Sequence, residues 1–570
     1  MADNRRPNVV LILTDDQGWG DLSLNGNTNL STPRIDELGR EGAVFESFYV
    51  QPLCAPTRAE VLTGRYFPRT GVHGVTRRAE YLNLDETTIG DVFQSAGYAT
   101  GCFGKWHSGS AYPYHPNGRG FEEFFGFCCG HWSNYFSTTL DHNGEDVENS
   151  DYIIDVLTEK AMEFIETNRD RPFFCYVPYN VPHSPFQVPD RFYEKFSGKE
   201  LEMRHRDPDK EDGDVTRAVL AMCENVDWNV GRLVDKVDEL GRRGDTIFIY
   251  LSDNGPNTWR WNGDLRGKKG STEEGGVRSP CLINWPGKIE PGTRVKQIAG
   301  AIDFLPTLAD IAGISLTDTK PLDGVSLKPI FDGETDSWPD RVIYSQSHDG
   351  EITGIRTQKY RAGGHSDGLF DMENDFGQRR DLSAEEPQFF QELKNRIEQW
   401  RDDAIPSETV EPPLPVGYPA FPKTDLNAQD GVPGGEITWS SIHPNASFFT
   451  DWQNIDDEIH WDLDIANAGR YEVTVFYTCP ESETGAKVEV VCGEASTSAT
   501  IEEPFDPPLK TERDRIPRSE SYEKEFRPLK MGVVNLKEGR QELRLRALRQ
   551  VGETICDVRK IELRLIEMER

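Results

Sequence analysis

The feature that most constrains the fold is an alternation, from residue 7 to about residue 331, of short apolar runs with longer segments of helical periodicity. The apolar runs cover residues 8–14, 98–104, 173–177 and 246–252. Before the last run, apolar residues recur at helical spacing from Val215 to Leu240 and stop at Gly241, a residue type that favours a helix C-terminus. Such alternation is typical of a mostly parallel sheet covered by helices. We therefore predict an α/β domain over residues 1–335.

The remaining 235 or so residues of this 570-residue chain need further cores, because one core does not grow to this size. Residues 336–404 contain strand-like runs at 342–345, 354–361 and 368–372, followed by an amphipathic segment at 388–400. This pattern predicts a small α+β subdomain with a short antiparallel sheet and one helix.

Residues 405–435 contain seven prolines, a density that opposes helix and central strand, so we predict a linker packed along the surface. Residues 436–570 hold seven runs that alternate apolar and polar residues between turns, which predicts a β-sandwich. We expect the charged stretch 502–525 to be a long connection between two of its strands.

Composition excludes several classes of function. The chain has 63 Lys and Arg against 97 Asp and Glu, a net charge of −34, so its surface should repel nucleic acid. A basic pocket for an anionic substrate stays possible, because salt screens exposed charges within about 10 Å. No apolar run approaches the ~20 residues of a spanning helix, and the ten cysteines form no C-x-x-C pairs. We expect no membrane insertion and no disulfide scaffold.

The N-terminus reaches an apolar strand by Val9 without a signal-peptide core. The sequence therefore leaves two locations open: the cytoplasm, or the periplasm or exterior for a chain whose leader has been removed.

Polar residues follow each of the four apolar runs. In a sheet of parallel strands, ligands bind outside the carboxyl ends of the strands. Asp15 and Asp16 follow the first run, and Asp253 and Asn254 follow the fourth. Carboxylate and amide oxygens at one sheet edge would need a cation between them, and hard oxygen ligands favour Ca²⁺, with Mg²⁺ as the second choice. The alternative interpretation is ordinary turn and helix-cap chemistry.

A thirteen-residue string at residues 53–65, LCAPTRAEVLTGR, carries the decisive signal. Pro56 and Thr57 begin a helix-like stretch, which places Cys54 at a helix N-terminus with Arg58 one turn along. A single cysteine at such a position is usually packed and inert. The whole string, however, resembles the signature of the type I sulfatases, C-x-P-S/T-R followed by an apolar pair and T-G-R.

Further motifs extend this resemblance over about 400 residues, in the expected order. They are NVVLILTDD at 8–16, TPRID at 32–36, GKWH at 104–107, PHSP at 182–185, SDNG at 252–255, RGKKG at 266–270 and LFDMEND at 369–375. The resemblance implies an alkaline-phosphatase-like fold with a large mixed sheet between helices. Two positions depart from the family pattern: Lys268 replaces a glycine, so that Lys269 takes the place of the family lysine, and Ser108 replaces a bulkier residue.

The resemblance also implies roles for these residues. Cys54 would be oxidised by a formylglycine-generating maturation enzyme to 3-oxoalanine (formylglycine), whose hydrate is the nucleophile. Asp15, Asp16, Asp253 and Asn254 would hold Ca²⁺, with residue 54 beside it. Arg58, Lys105 and Lys269 would neutralise the sulfate, His183 would protonate the departing oxygen, and His107 would act as a base.

Three other side chains are weaker candidates for substrate contact. His73 lies on the loop after the signature helix, and Trp259 and Trp261 follow the second carboxylate pair. The two indoles are candidates for stacking on sugar faces, although packing in the protein explains such residues equally well.

The appended sandwich favours a sulfated oligo- or polysaccharide over a small aryl sulfate as substrate. Two alternatives remain at this stage. One is a formylglycine-dependent phosphonate monoester or phosphodiester hydrolase, which uses the same signature. The other is a non-catalytic protein that binds sulfated glycans. The sandwich itself is similar in outline to carbohydrate-binding β-sandwiches, and the alternative for it is a structural cap that covers one side of the first domain.

Overall fold

The computed structural model describes residues 6–334 and 338–569. The helices are α1 Pro33–Arg40, α2 Cys54–Thr63, α3 Ile89–Ser95, α4 Ile153–Thr167, α5 Asp190–Tyr193, α6 Gly213–Glu239, α7 Glu274–Val277, α8 Phe304–Ala312, α9 Lys328–Phe331 and α10 Pro387–Ala404. Strands up to residue 300 are β1 Asn8–Thr14, β2 Ala43–Phe45, β3 Phe48–Tyr49, β4 Ala99–Lys105, β5 Glu123–Phe127, β6 Thr139–His142, β7 Glu145–Glu148, β8 Phe173–Pro178, β9 Thr246–Ser252, β10 Cys281–Asn284, β11 Thr293–Val295 and β12 Ala299–Gly300.

Four further strands precede α10: β13 Ile343–Gln346, β14 Thr353–Arg356, β15 Tyr360–Gly363 and β16 Gly368–Asp371. After α10 come β17 Leu414–Val416, β18 Lys423–Asn427, β19 Val432–Pro433, β20 Thr438–Trp439, β21 Phe449–Thr450, β22 Glu458–Ile465, β23 Gly469–Thr478, β24 Lys487–Cys492, β25 Ala495–Thr500, β26 Arg527–Leu536, β27 Gly539–Arg549 and β28 Asp557–Met568.

The first part of the chain is built on a ten-stranded mixed sheet in the order β11-β2-β10-β9-β1-β8-β4-β5-β6-β7. Its five central strands, β9, β1, β8, β4 and β5, are all parallel. Four of them contain the four apolar runs found in the sequence. Every residue of β1, β4, β8 and β9 is buried, which explains why these strands are continuously apolar rather than alternating. The predicted fold class, a mixed and mostly parallel sheet between helices, is confirmed.

Helix α6 shows how the sequence specifies one covering element. The Asp212 carboxylate accepts hydrogen bonds from the backbone N–H groups of Asp214 and Val215 and caps the first turn. At the other end Gly241 adopts φ +65°, the left-handed conformation that ends a helix. The apolar stripe between these ends packs in one core with α4 and the central strands.

The second unit is a four-stranded antiparallel sheet, β13 to β16 in sequence order, covered by α10. The predicted single strand at residues 354–361 is wrong, because the chain turns back at residues 357–359 and forms the β14–β15 hairpin. The predicted boundary at residues 335–336 lies outside the described residues.

The last unit is a sandwich of two sheets around one core that contains Trp452, Trp461 and Tyr471. One sheet has the order β17-β22-β27-β24-β25, with β19 on β22, and the other has the order β20-β21-β28-β23-β26, with β18 on β28. The proline-rich segment 405–435 is therefore more than a linker. It supplies β17 and β19, which both pair with β22 in the first sheet, and β18, which pairs with β28 in the second. The end of a sheet, where β17 lies, is a position at which a strand tolerates proline.

Two connections of the sandwich contact the first part of the chain: residues 440–448, between β20 and β21, and residues 501–526, between β25 and β26. The second confirms the expected long connection. Within residues 6–334 and 338–569, none of the helices combines the length and apolarity needed to cross a bilayer.

Candidate functional site

The predicted carboxylate cluster forms where β1 and β9 end. These parallel neighbours are in register, with Thr14 opposite Ser252, so Asp15 and Asp16 meet Asp253 and Asn254. The backbone N–H of Asp16 donates to Asp253 Oδ1 (3.1 Å), and Asn254 Nδ2 donates to Asp16 Oδ1 (2.8 Å). All four side chains are completely buried. The sheet register therefore brings together the four side chains that the sequence selected.

Three oxygens of this cluster have no hydrogen-bond partner among the described residues: Asp15 Oδ1, Asp16 Oδ2 and Asn254 Oδ1. Buried polar atoms are rarely left without a partner unless an ion or a water completes them. Asp15, Cys54 and Asp253 each place a ligand atom within 4.8 Å of the others, and so do Asp15, Asp16 and His183. The carboxylate and amide oxygens of this cluster are hard ligands, and they fit a divalent cation.

Helix α2 places Cys54 and Arg58 against this cluster. Thr57 Oγ1 donates to the backbone carbonyl of Asp253 (2.6 Å), which fixes the first turn of the helix to the end of β9. Two guanidinium nitrogens of Arg58 bond to Asp253 Oδ2 (3.2 and 2.8 Å), and a third donates to the Lys105 carbonyl (2.7 Å). Because all ten residues of α2 are buried, the geometry of this site is held by the core.

Two lysines join Arg58 as positively charged groups of the site. Lys105, the last residue of β4, places its Nζ 2.7 Å from Asp15 Oδ2, and Lys269 Nζ lies 2.6 Å from Asp16 Oδ1. Burial would raise the pKa of Asp15, but the charge of Lys105, followed by those of His183 and Arg58, holds that pKa below its usual range. Asp15 is therefore an anion in the folded protein.

Asp253 differs from Asp15 in its electrostatics. Burial and the neighbouring charge of Asp15 raise the pKa of Asp253 to about 7, against the opposing effect of Arg58. Burial likewise raises the pKa of the Cys54 thiol, although Lys105 and Lys269 oppose it. Burial in this pocket thus works against the charged forms of both Asp253 and the Cys54 thiol.

Both predicted histidines lie at this edge of the sheet. His183 Nε2 is 3.7 Å from Asp16 Oδ2, and its Nδ1 donates to the Ser184 carbonyl (2.6 Å). His107 Nε2 donates to the carbonyl of Val75 (2.9 Å), while its Nδ1 is buried without a partner among the described residues. Burial, followed by the charge of Lys105, holds the pKa of His107 well below its usual range. His107 is a neutral imidazole with a free acceptor nitrogen.

The three weaker candidates make other contacts. His73 Nδ1 lies 2.9 Å from the Gly71 carbonyl and its Nε2 lies 3.8 Å from Glu411. Lys210 lies over the ring of Trp259 (4.7 Å) and Arg204 over that of Trp261 (4.5 Å). Lys268 also lies over the ring of Trp259 (5.6 Å). Each indole thus already has at least one cationic partner, and a role of these three residues in substrate binding stays a prediction.

Sequence reasoning missed three polar residues near the histidines. The His131 ring follows β5 and stacks on that of His183, with 5.9 Å between centroids, and the rule that ligands gather at strand ends would have found it. Asn445 and Glu520 come from the sandwich. No local pattern marks them, because the docking of a distant unit places them here.

Comparisons with known proteins agree with this arrangement. Residues 7–314 match the family model described as Sulfatase, and residues 268–403 match one described as N-sulphoglucosamine sulphohydrolase, C-terminal. Human arylsulfatase A is 34% identical over 403 residues, which cover 64% of this chain and 75% of the relative. Mouse N-acetylgalactosamine-6-sulfatase is 31% identical over 361 residues, covering 57% of this chain and 66% of the relative.

Among solved structures, Ps i-CgsB in complex with k-i-k-neocarrahexaose superposes with a TM-score of 0.64 at 30% identity. The match covers 72% of this chain and 94% of that one. The first family model alone spans more than half of the chain and includes the carboxylates, Cys54 and the cationic side chains around them. The chain therefore belongs to the sulfatase family and is an enzyme that hydrolyses sulfate esters.

Proposed function

We propose that the enzyme releases sulfate from a sulfated oligo- or polysaccharide, with water consumed and the sugar hydroxyl regenerated. The observation that carries this proposal is the meeting of Arg58, Lys105 and Lys269 with three unpartnered oxygens in one buried pocket. A carbohydrate substrate is supported by the N-acetylgalactosamine-6-sulfatase relative and by the saccharide bound in the similar solved structure.

Asp15, Asp16, Asp253 and Asn254 would hold the divalent cation, for which all-oxygen ligands favour Ca²⁺ over a softer metal. The ion supplies positive charge that polarises a sulfate oxygen and favours the ionised form of nearby oxygen acids. The raised pKa of Asp253 supports this assignment, because a cation at the cluster would satisfy the charge that burial disfavours.

Residue 54 would act as formylglycine, produced from Cys54 by a separate maturation enzyme. The hydrated carbonyl supplies a hydroxyl nucleophile and a second hydroxyl for release of sulfate. The elevated pKa of the thiol supports the modification, since an unmodified Cys54 would be mostly protonated and a poor nucleophile.

The protein's own side chains would divide the remaining work. Arg58, Lys105 and Lys269 neutralise the sulfate oxygens in a pocket that excludes water, where fixed charges act strongly. His183 gives a proton to the departing sugar oxygen, and neutral His107 takes a proton at its free Nδ1. These roles agree with the hydrogen bonds of the two rings, which occupy His183 Nδ1 and His107 Nε2 and leave the other nitrogen of each ring available.

A panel of defined sulfated oligosaccharides, read by NMR for the position that loses sulfate, tests the proposal. The enzyme is produced together with a formylglycine-generating enzyme, and mass spectrometry of the peptide containing residue 54 verifies conversion. Cys54→Ala should reduce sulfate release to background, whereas Cys223→Ala, which alters another buried cysteine, should retain it. Turnover by Cys54→Ala at the parent rate would refute the role of residue 54.

The two alternatives give different results in the same assay. A phosphonate or phosphodiester hydrolase would have a larger kcat/KM on an aryl phosphodiester than on the matching aryl sulfate. A glycan-binding protein without catalysis would bind the oligosaccharides but release no sulfate after verified conversion.

A polysaccharide cannot cross a membrane unaided, so we propose that the enzyme works in the periplasm or outside the cell. Fractionation of the native host, with an antibody against the sandwich, distinguishes this location from the cytoplasm.

A further inference from the structure

Residues 501–526 of the sandwich lie along the segment that follows His183. The Arg515 backbone N–H donates to the carbonyl of Phe186 (3.0 Å), and Gln187 Nε2 donates to Asp514 Oδ1 (2.6 Å). Further along, Ser184 Oγ donates to the carboxylate of Glu520. The sandwich therefore contacts the catalytic segment at the residue next to His183.

Glu520 is linked to His183 through Ser184. His183 Nδ1 donates to the Ser184 carbonyl, and Ser184 Oγ lies 3.5 Å from the same nitrogen. The imidazole is thus held between Asp16 at its Nε2 edge and the Ser184–Glu520 pair at its Nδ1 edge. Burial opposes ionisation of Glu520, but the nearby His183 lowers its pKa, so this group is a carboxylate.

A second contact of the sandwich lies beside His107. Asn445 Nδ2 donates to the carbonyl of Val75 (3.1 Å), the same oxygen that accepts from His107 Nε2. A side chain at residue 130 would prevent this approach, because a Cβ at Gly130 would lie 2.3 Å from Asn445 Nδ2 and 2.8 Å from His107 Nε2. Asn445 is 7% exposed, and its Oδ1 has no partner within the described chain.

We propose that the sandwich completes the active site by positioning both histidines, with Asn445 orienting His107 through Val75 and Glu520 orienting His183 through Ser184. The proposal rests on the proposed function for the roles of the two rings. Both contributors lie beyond residue 403, the last residue that either family match covers. They are positioning residues, since each acts through another residue, Val75 or Ser184, of the catalytic unit, by which we mean the first part of the chain with its ten-stranded sheet.

The two contacts predict opposite dependences on the leaving group. If Glu520 orients His183 for proton donation, removing the Glu520 carboxylate should lower kcat most when the departing oxygen is a poor leaving group. If Asn445 orients His107 for a step after the alcohol has left, removing the Asn445 side chain should lower kcat most when the alcohol departs quickly. General acid–base groups contribute about 10²–10⁴-fold, so partial misorientation should cost about tenfold or more.

The experiment uses converted full-length enzyme and aryl sulfates whose phenols span a wide range of acidity. Glu520→Ala should lower kcat about tenfold or more on the least acidic phenol and less than about threefold on the most acidic, with KM nearly unchanged. Glu520→Gln should recover most of the loss, because its amide oxygen can still accept from Ser184. Asn445→Ala should lower kcat most on the most acidic phenol.

Matched controls are Glu525→Gln, an exposed carboxylate on the same connection, and Asn467→Ala, whose amide donates to a carbonyl inside the sandwich. Both should keep parent kinetics, and all variants should unfold at nearly the parent temperature. Crystal structures of Glu520→Ala and Asn445→Ala should show the His183 and His107 rings rotated. Equal losses on all esters, no recovery in Glu520→Gln, or unmoved rings would overturn the proposal.

Because this series contains no sugar, it is separate from the test of substrate class. Failure of every sulfated oligosaccharide would refute the proposed substrate and leave the aryl sulfate result to decide the positioning roles.

Discussion

At the scale of single residues, the buried oxygens of Asp15, Asp16 and Asn254 are the most informative atoms of the site. Each lies in the core without a hydrogen-bond partner among the described residues, although Lys105 and Lys269 neutralise other oxygens of the same aspartates. Asp16 also adopts φ +66°, a conformation uncommon outside glycine. Strain and lack of a partner at one residue indicate that binding chemistry, rather than stability, determines this arrangement.

Calcium should therefore stabilise the folded enzyme. At a Ca²⁺ concentration about 100 times its Kd, binding to the folded state alone adds about 2.7 kcal/mol, which for a chain of this length corresponds to a rise in Tm of about 2 °C. Scanning calorimetry of EDTA-treated enzyme with and without Ca²⁺ measures this difference. Asp16→Asn should abolish most of it, whereas Asp310→Asn, which alters an exposed carboxylate near Ser326, should not. An equal response of Asp16→Asn and parent would place the ion elsewhere.

Single residues also show what a sequence can and cannot indicate. Asp15, Asp253 and Lys105 were predictable because each sits at the end of a parallel strand, where position along the chain determines position in space. Asn445 and Glu520 were not, because their place beside the histidines depends on how the sandwich, which is distant in sequence, packs against the first part of the chain. His131 is an intermediate case: its strand end was available in the sequence, but β5 was not among the four runs that we identified.

At the scale of elements, β4 depends on one glycine. Gly104 has φ +146°, and a Cβ there would lie 2.0 Å from the carbonyl of Pro178 on β8. The neighbouring residue is Lys105, so any shift of β4 moves a cationic group of the site.

Gly104→Ala should therefore lower the free energy of unfolding by about 2–5 kcal/mol, from overpacking and backbone strain together. It should also reduce kcat. Urea denaturation and aryl sulfate turnover check both effects. The matched change is Gly198→Ala, where an added Cβ would meet nothing within 4 Å. Comparable stability of the two variants would contradict the close packing of β4 on β8.

Elements were predictable to the extent that their own burial pattern identified them. The four buried strands and α6 were located correctly, because continuous apolar runs and helical periodicity are local signals. The β14–β15 hairpin was read as one strand, since its turn at residues 357–359 lacks glycine and proline. Strands β17 and β18 were not predicted, because prolines lie around them and proline in a sequence argues against a strand. Strands at the edge of a sheet nevertheless tolerate proline.

At the scale of the whole molecule, a pair of buried carboxyl groups lies where the catalytic unit meets the sandwich. Glu80 belongs to the first unit and Asp430 to the last, and they are 1% and 3% exposed. Burial and the charge of Asp430 raise the pKa of Glu80 to about 8. Burial, against the opposing effect of Arg78, raises the pKa of Asp430 to about 7. Both are protonated at mildly acidic pH.

This pair should make the folded state less stable as pH rises. Unfolded carboxyl groups titrate near pH 4, so between about pH 4 and 8 the folded state holds more protons than the unfolded state. Its stability then falls with pH, by at most about 1.4 kcal/mol per pH unit for each proton.

Glu80→Gln should flatten this dependence, and the exposed control Glu436→Gln should follow the parent. Urea denaturation at several pH values gives the slopes. A slope in Glu80→Gln as steep as in the parent would exclude this pair as the cause.

Gly130 is a single residue on which the packing of the sandwich against the rest of the molecule depends. Because it has no side chain, it leaves room for Asn445 of the sandwich beside His107. A chain truncated at residue 403 would retain every signature motif but expose this space to solvent, along with Ser184 and Glu80. We therefore expect a protein shortened to the family boundaries to lose both contacts with the histidine segments and to be less stable than the full chain.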